Sequence, residues 1–311
     1  MSINTGPTRT IDRSRSVPEA ERPGALGPAT GSARGSGMPE TPAPVRSRGS
    51  LLRAVARNKW LAGALGLALP VLILLLWHTL SSNGTFSPVQ LPAPSTVLAA
   101  GVELAQRGDL WFNVAISVQR VVLGFLIGST LGMVLGALIG LSRWASVLAG
   151  PTIGAIRAVP SLAWVPLLML WIGIGENSKV TLVAIGAFFP VYTTVSAALK
   201  HVDRQLIEAA RSFGITGLQL FFQVQLPAVL PSVISGLRLA LAQAWLFLVA
   251  AELLGAAMGL GFLLTESQGN GRTDRLLLAI LLLAILGKLS DALVGVFERW
   301  AARRWGAAPA A

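Results

Sequence analysis

Cysteine is absent from the 311 residues of this chain, and charged residues make up only 13% of them. The first absence excludes disulfide bonds, thiol catalysis and cysteine-based metal sites. Soluble domains carry roughly 25% charged residues, so the low share of charged residues favours a chain that lies in lipid. Several apolar runs approach about 20 residues, the length that crosses roughly 30 Å of hydrocarbon. With a mean hydropathy of +0.65, the sequence predicts an integral membrane protein.

Nucleotide-binding and metal-binding patterns are also missing. No G-x-x-x-x-G-K-[ST] loop occurs, because Gly287 and Lys288 are followed by Leu289 and lack the upstream glycine. We therefore expect that this chain does not bind ATP. Only two histidines are present, His78 and His201, and a structural role is the better hypothesis for each. The sequence predicts no catalytic residue, no metal site and no cofactor.

The net charge of +11 is unevenly distributed. Ten of the 25 basic residues precede Trp60, and most of the others fall in short loops on one side of the predicted bundle. This is the positive-inside pattern that orients membrane helices, so we expect both termini to be cytoplasmic. It also explains the basic charge without nucleic acid, which we do not expect as a partner.

The hydropathy pattern predicts six membrane-spanning helices in an all-α fold. We expect a disordered cytoplasmic tail over residues 1–50, a first transmembrane helix and periplasmic segment over 51–113, a five-helix core over 114–304, and a C-terminal tail over 305–311. The predicted spans are residues 60–80, 114–141, 146–172, 179–199, 229–254 and 276–297. Residues 256–275 are predicted to form a glycine-rich outside loop, and Arg272 and Arg275 are exceptions to the charge pattern.

Glycines recur every fourth residue in the second span, at Gly124, Gly128, Gly132, Gly136 and Gly140. This spacing places them on one helix face, where small residues let another helix approach closely. A static packing contact is the favoured interpretation, and a moving interface is the alternative.

Three charged residues inside predicted spans are candidates for a translocation path or gate. Arg157 lies beside Pro160 in a break of the third span, where it either lines a cavity or reaches the cytoplasmic interface. Arg238 and Glu252 lie in the fifth span, near its inside and outside ends respectively. Intramembrane charges are costly unless they are paired or functional.

A polar stretch over residues 200–227 separates the fourth and fifth spans. It contains a short amphipathic segment, with Ile207, Ala210 and Phe213 on its apolar face, that ends near Gly214. A second short helix is predicted to open near Thr216, and Pro227 to start the next span. This stretch contains more apolar residues than a solvated loop requires, so we expect a partner to cover some of them.

In this stretch Glu208-Ala209-Ala210 is followed after three residues by Gly214, and after nine more by Val224-Gln225-Leu226-Pro227. The pattern resembles the EAA signature of permease subunits of binding-protein-dependent ABC importers, with Val224 where the family usually has isoleucine. The resemblance covers residues from about 91 to 304. It is closest to the sulfonate, taurine and nitrate branch, and most similar to aliphatic sulfonate permeases, at the segments 91–95, 158–163, 170–175, 189–192, 201–203 and 287–291.

The resemblance implies a type I, MetI-like permease bundle in the bacterial inner membrane, working by alternating access. Its implied partners are two copies of an ABC ATPase subunit, a periplasmic or lipid-anchored substrate-binding protein and a second permease in a homodimer. It also implies that Glu208, Ala209, Ala210, Gly214, Leu226 and Pro227 couple the permease to the ATPase. For an anionic substrate a positive contact is expected, so Glu252 is interpreted as a pairing or gate residue. A taurine or nitrate/bicarbonate ABC permease is the alternative within the family. An ion-coupled secondary transporter is the alternative from another class, although the sequence has no convincing internal repeat.

Overall fold

Helices account for almost all regular structure in the computed structural model, which describes residues 59–305. No strand occurs within that range. The helices are α1 (Lys59–Ser82), α2 (Pro94–Arg107), α3 (Asp109–Leu141), α4 (Arg143–Ala158), α5 (Trp164–Ile172), α6 (Glu176–Lys200), α7 (Arg204–Ser212), α8 (Gly217–Leu220), α9 (Leu226–Leu253), α10 (Leu260–Gly269) and α11 (Thr273–Trp305). The predicted tail over residues 1–50 and residues 306–311 lie outside the described range.

Within the described part of the chain, four stretches are long and apolar enough to cross a membrane: α3, α6, the continuous helical stretch Gly217–Leu253 that includes α9, and Thr273–Trp300 of α11. Helix α1 is apolar over Gly66–Ser82, and nearly all of its described side chains are exposed. The prediction of an all-α membrane protein is therefore confirmed. Span five differs in its start, because the helix runs on through a π turn, Phe221–Gln225, instead of beginning at Pro227.

The third predicted span is not one continuous helix. It is divided into α4 and α5, which are joined by a 3₁₀ turn, Ser161–Ala163. The cause is Pro160, which lacks a backbone donor and favours an extended conformation for the residue before it. Val159 has φ −67° and ψ 127°, which ends α4 at Ala158.

Helix α6 is the centre of the bundle, between α3 and α9. Val183, Ala187 and Val191 on α6 have no exposed surface, and Ala240, Ala244 and Leu248 of α9 pack into the same core. In a separate cluster, Val165 and Leu168 of α5 pack against α6 and α9. A helix buried on several sides in this way must carry small and apolar residues around most of its circumference.

The five regularly spaced glycines of α3 all face α6. A Cβ added at Gly128 would overlap the backbone carbonyl of Ala184, and one at Gly140 would lie 2.9 Å from Cβ of Leu199. Added Cβ atoms at Gly132 and Gly136 would lie within 3.0 Å of α6 atoms. The two helix backbones therefore approach at distances that only glycine permits.

The predicted outside loop over residues 256–275 is not wholly irregular, because it contains α10. Leu260 and Leu263 of α10 are buried against Leu104 of α2 and Leu110 of α3, and this burial stabilises the helix. The hydropathy pattern missed α10 because the helix has only ten residues.

The two arginines that broke the charge pattern are paired at this end of the bundle. Arg272 bonds Asp274 at 2.8 Å and Glu103 at 3.3 Å, while Arg275 bonds Glu103 at 3.1 Å. The hydrogen bond from Arg275, together with that from Arg272, lowers the pKa of Glu103. Their charges are thus offset locally by acidic side chains.

Candidate functional site

A buried ion-pair network lies at the end of the bundle opposite the 200–227 loop. Its centre is Arg120 on α3, which is only 2% exposed. One terminal nitrogen of its guanidinium, Nη1, donates to Oε1 of Glu252 at 2.6 Å and to the carbonyl of Met258 at 2.8 Å. A guanidinium in the low-dielectric interior needs such partners to offset its desolvation.

Glu252, on the last turn of α9, is as deeply buried as Arg120. Besides Arg120, its carboxylate accepts hydrogen bonds from Oγ of Ser117 at 2.8 Å and from the backbone N–H of Gly261 at 2.7 Å. Oγ of Ser117 in turn accepts from the N–H of Leu260 at 2.8 Å. One carboxylate therefore ties α3, α9 and the start of α10 together.

The segment that enters α10 fits around this carboxylate only because it contains glycine. Gly259 has φ +112°, a conformation that other residues rarely adopt, and an added Cβ would overlap the carboxylate of Glu252. Its N–H donates to Oδ1 of Asn113 at 2.7 Å. The close approach of the backbone completes the enclosure of the buried charge.

The opposite edge of the Arg120 guanidinium is held by Glu176, the first residue of α6. Nε donates to Oε2 at 2.7 Å and Nη2 to Oε1 at 2.5 Å, which is the bidentate geometry of an arginine–carboxylate pair. Nζ of Lys179, itself buried, lies 3.3 Å from the same Oε1. Unlike its partners, Glu176 has a side chain that is 54% exposed.

A cleft of about 470 Å³ opens beside the Arg120–Glu176 pair. Its volume is within the range of small-molecule sites. The lining includes Arg120 and Glu176, three uncharged polar side chains and five apolar ones: Gln119, Asn177, Thr181, Ile116, Leu123, Ile127, Val180 and Met258. The arrangement can receive a small molecule with one charged end and one apolar part.

Of the charged residues proposed from sequence, only Glu252 belongs to this network. The sequence analysis missed Arg120, Lys179 and Glu176. Arg120 could have been found, because it is a lone charge within the apolar run 114–141. Glu176 gave no such signal, since it falls in a turn between two predicted spans.

Arg238 and Arg157 lie elsewhere. Arg238 joins α9 to α11 through two bonds to Asp291, at 2.9 and 3.0 Å, and one to Glu298 at 3.1 Å. Arg157 is exposed in the last turn of α4 and forms no ion pair with any residue in the described range. Neither residue lines the 470 Å³ cleft.

At the other end of the bundle, the loop between α6 and α9 folds into two short helices. Oδ1 of Asp203 caps α7 by accepting from the N–H of Gln205 at 2.8 Å. Gly214, at φ +78°, follows the end of α7, and the N–H of Ile215 bonds back to the carbonyl of Ala210 at 3.1 Å. The turn therefore fixes the angle between α7 and α8.

The outer face of this loop is more apolar than a solvated surface requires. Phe213 and Leu218 are 85% and 77% exposed, and Leu206 and Phe222 are also exposed. Ile207, Ala210 and Phe213 were expected on one apolar face that a partner covers in part. Ala210 is buried by the rest of the described chain, and Phe213 is left exposed. Phe213 follows the last residue of α7, where the turn into Gly214 directs it outward.

Glu208 and Ala209 lie on the same exposed loop. Glu208 is paired with Arg204 at 2.8 Å, one turn earlier on α7. Leu226 and Pro227 open α9 and are less exposed. Glu208 and Ala209 are thus presented outward beside an uncovered apolar patch, whereas Ala210 is buried beneath them.

Comparison with known proteins identifies the family of this chain. Residues 128–303 match the family described as binding-protein-dependent transport system inner membrane component. A permease of Escherichia coli strain K12 named for the transport of aliphatic sulfonates is 43% identical over 252 residues, covering 81% of this chain and 95% of that protein. A Bacillus subtilis strain 168 permease of the same name is 39% identical, covering 75% and 85%. The taurine transport system permease protein of Escherichia coli is 36% identical, covering 70% and 82%.

Solved structures agree on the fold. An inward-facing structure of the MetNI methionine ABC transporter superimposes with a TM-score of 0.52 at 24% identity, covering 61% of this chain and 94% of the matched one. The family match spans more than half of the 311 residues, and the relatives exceed 30% identity over most of their length. This chain therefore belongs to the binding-protein-dependent inner membrane components, and is a multi-pass permease subunit of an ABC importer that works with an ATPase and a substrate-binding protein.

Proposed function

We propose that this permease imports a small organic anion, an aliphatic sulfonate, by alternating access driven by ATP hydrolysis on a separate subunit. Support for the substrate comes from the relatives named for aliphatic sulfonates, which have the highest identities quoted above. Other relatives are named for taurine, an aminosulfonate, and for nitrate, and both contain a compact oxyanion group. The common property is a compact anionic head.

The observation that carries the coupling role is the exposed apolar patch of the 200–227 loop. Phe213 and Leu218 stand outward on a loop that is anchored at both ends in α6 and α9. Exposed aromatic and aliphatic side chains of this size favour a protein partner, in which they would fill pockets. In our proposal the ATPase covers this patch, with Glu208, Ala209 and Gly214 at the contact and Ala210, Leu226 and Pro227 behind it.

The assembly that follows is a homodimer of this permease with two ATPase subunits. The loop and both termini are cytoplasmic, as the excess of basic residues before Trp60 favours. The buried network around Arg120 then lies toward the periplasmic side, where a periplasmic or lipid-anchored binding protein delivers the substrate. Arg157 and Arg238 remain candidates for the translocation path or gate, and the five glycines of α3 for the packing contact with α6.

The decisive experiment is reconstitution of the permease, its ATPase and its binding protein in proteoliposomes, followed by uptake of butanesulfonate with and without internal ATP. Uptake that requires ATP supports the proposal. Uptake that proceeds without ATP but stops when an ion gradient is collapsed would identify a secondary transporter instead.

Substrate class is tested separately by calorimetry of the cognate binding protein against alkanesulfonates, taurine and nitrate. We expect the tightest binding for an alkanesulfonate. Tight taurine binding with no heat from longer alkanesulfonates would replace the sulfonate assignment with taurine.

A further inference from the structure

The position occupied by the Glu176 carboxylate has the properties of an anion-binding site. Two cations converge on it: the Nε and Nη2 edge of Arg120 and the ammonium of Lys179. Both cations are almost fully buried, with 2% and 5% of their surfaces exposed. The residues that form the site are thus fixed, while the carboxylate they hold belongs to a half-exposed side chain.

The net charge of the buried residues also indicates an anion-binding site. The buried members are Arg120, Lys179 and Glu252, whose charges sum to one positive charge that Glu176 neutralises. A buried positive charge needs a counterion in a low-dielectric setting. A monoanion that replaced the Glu176 carboxylate would leave the cluster neutral, whereas a neutral molecule or a cation would not.

The residues around Glu176 permit the exchange. Its side chain is 54% exposed, so it can turn into water without losing a buried environment. Gly173 and Gly175 precede it, and a Cβ added at either would meet no atom within 4 Å, so no neighbouring atom fills the space beside these two residues. The site also lies at the N-terminus of α6, where unpaired backbone N–H groups favour an anion.

The adjoining cleft supplies room for the rest of a ligand. Ile116, Leu123, Ile127, Val180 and Met258 give it an apolar wall, and Gln119, Asn177 and Thr181 provide hydrogen-bonding groups near the charged end. A planar or tripodal oxyanion with a short alkyl chain matches this combination of features.

We propose that Arg120 and Lys179 form a substrate-binding site in the membrane domain for the anionic head of an alkanesulfonate, and that Glu176 is an internal competitor which the substrate displaces. The alkyl chain occupies the cleft between α3 and α6. This inference rests on the proposed function, since it names where the transported anion is held.

The test measures butanesulfonate binding to the permease–ATPase complex in nanodiscs, without the binding protein, by isothermal titration calorimetry. Glu176→Gln removes the competing charge and keeps the size of the side chain. We expect it to bind butanesulfonate about tenfold more tightly than the parent, equivalent to about 1.4 kcal/mol. Butylammonium, which has the same chain and the opposite charge, should not bind either protein.

A second pair of variants tests the cleft without changing any ion pair. Ile127 lines the cleft and Val122 does not, yet both lie on α3 and are 47% exposed. Ile127→Trp should weaken butanesulfonate binding at least about tenfold, while Val122→Trp should leave it within about twofold of the parent. Unchanged binding by Ile127→Trp, or binding by Glu176→Gln no tighter than the parent, would overturn the site.

Failure of the site can be separated from failure of the proposed function. If the parent complex with its binding protein imports butanesulfonate while Glu176→Gln shows no gain in affinity, the site is wrong and the function stands. If the parent imports no alkanesulfonate, the proposed substrate is wrong whatever the binding data show.

Discussion

Replacing Glu252 with leucine should be among the most damaging single changes outside the coupling loop. The carboxylate accepts hydrogen bonds from Ser117, Arg120 and the N–H of Gly261, all of them buried. Leucine has a similar volume and accepts none of them. Arg120 would then remain buried, with Glu176 as its one remaining carboxylate partner.

Removal of one partner from a buried ion pair costs about 3–5 kcal/mol, because the other charge is left uncompensated. Glu176 still holds one edge of Arg120, so we expect a loss near the lower figure, about 3 kcal/mol of unfolding free energy. Glu266→Leu is the matched control, because Glu266 is exposed on α10 at the same end of the bundle. It should change the unfolding free energy by no more than about 0.5 kcal/mol.

The free energy of unfolding can be measured by titrating the purified permease from dodecylmaltoside into mixed micelles with dodecyl sulfate. A double-mutant cycle adds Arg120→Met and the double variant Arg120→Met/Glu252→Leu. Because apolar residues can replace a buried pair at little cost, the double variant should lose less than the two single losses combined, by about 0.5–3 kcal/mol. Strict additivity, or a Glu252→Leu loss equal to that of Glu266→Leu, would refute the reasoning.

Three further perturbations follow from the same structure. Gly128→Ala forces a methyl group into the carbonyl of Ala184, so it should destabilise the α3–α6 contact by about 1–3 kcal/mol, measured as unfolding free energy. Glu208→Lys reverses a charge on the exposed loop, so it should abolish ATP-driven uptake while the amount of permease in the membrane, measured by immunoblot, is unchanged. Arg275, through its hydrogen bond, lowers the pKa of Glu103, so this carboxylate stabilises the fold above pH 4.5, and its contribution is lost as the pH falls through the lowered value. The unfolding midpoint of the parent should therefore exceed that of Glu103→Gln at pH 7 and approach it in stronger acid.

Each of these expectations has a control or a contradicting result. Gly150, on α4, has no atom within 4 Å of an added Cβ, so Gly150→Ala should be harmless, and equal losses at both glycines would contradict the packing argument. Gln205→Lys places a new positive charge elsewhere on α7 and should preserve uptake. Normal uptake by Glu208→Lys would exclude the coupling role. A gap between parent and Glu103→Gln that is constant with pH would exclude the ion-pair explanation.

The membrane helices could be predicted because their signals are local. Length and hydropathy define α3, α6, α9 and α11, and Pro160 marks the break between α4 and α5. The four-residue spacing of the glycines likewise indicated one packed face of α3, although it could not identify α6 as the partner. Each of these inferences needs only neighbouring residues.

The ion-pair network could not be derived in this way. Arg120 and Glu252 are 132 residues apart, and Arg120 and Glu176 are 56 apart, so their pairing depends on how three helices pack. The same holds for α10, whose ten residues are stabilised by burial against α2 and α11 more than by their own pattern.

The π turn at Phe221–Gln225 has a mechanical consequence, because it joins the 200–227 loop to α9 without a flexible linker. Helix α6 enters that loop directly at its other end. Helices of 25 and 28 residues span about 37–42 Å at 1.5 Å per residue, and each of these two contains one internal proline, Pro190 in α6 and Pro231 in α9. The ends of these two helices farthest from the loop carry Glu176 and Glu252, the two carboxylates that bind Arg120. If the loop couples the permease to the ATPase as we propose, a tilt applied there moves the far ends of both helices and changes the separation of the two carboxylates that bind Arg120.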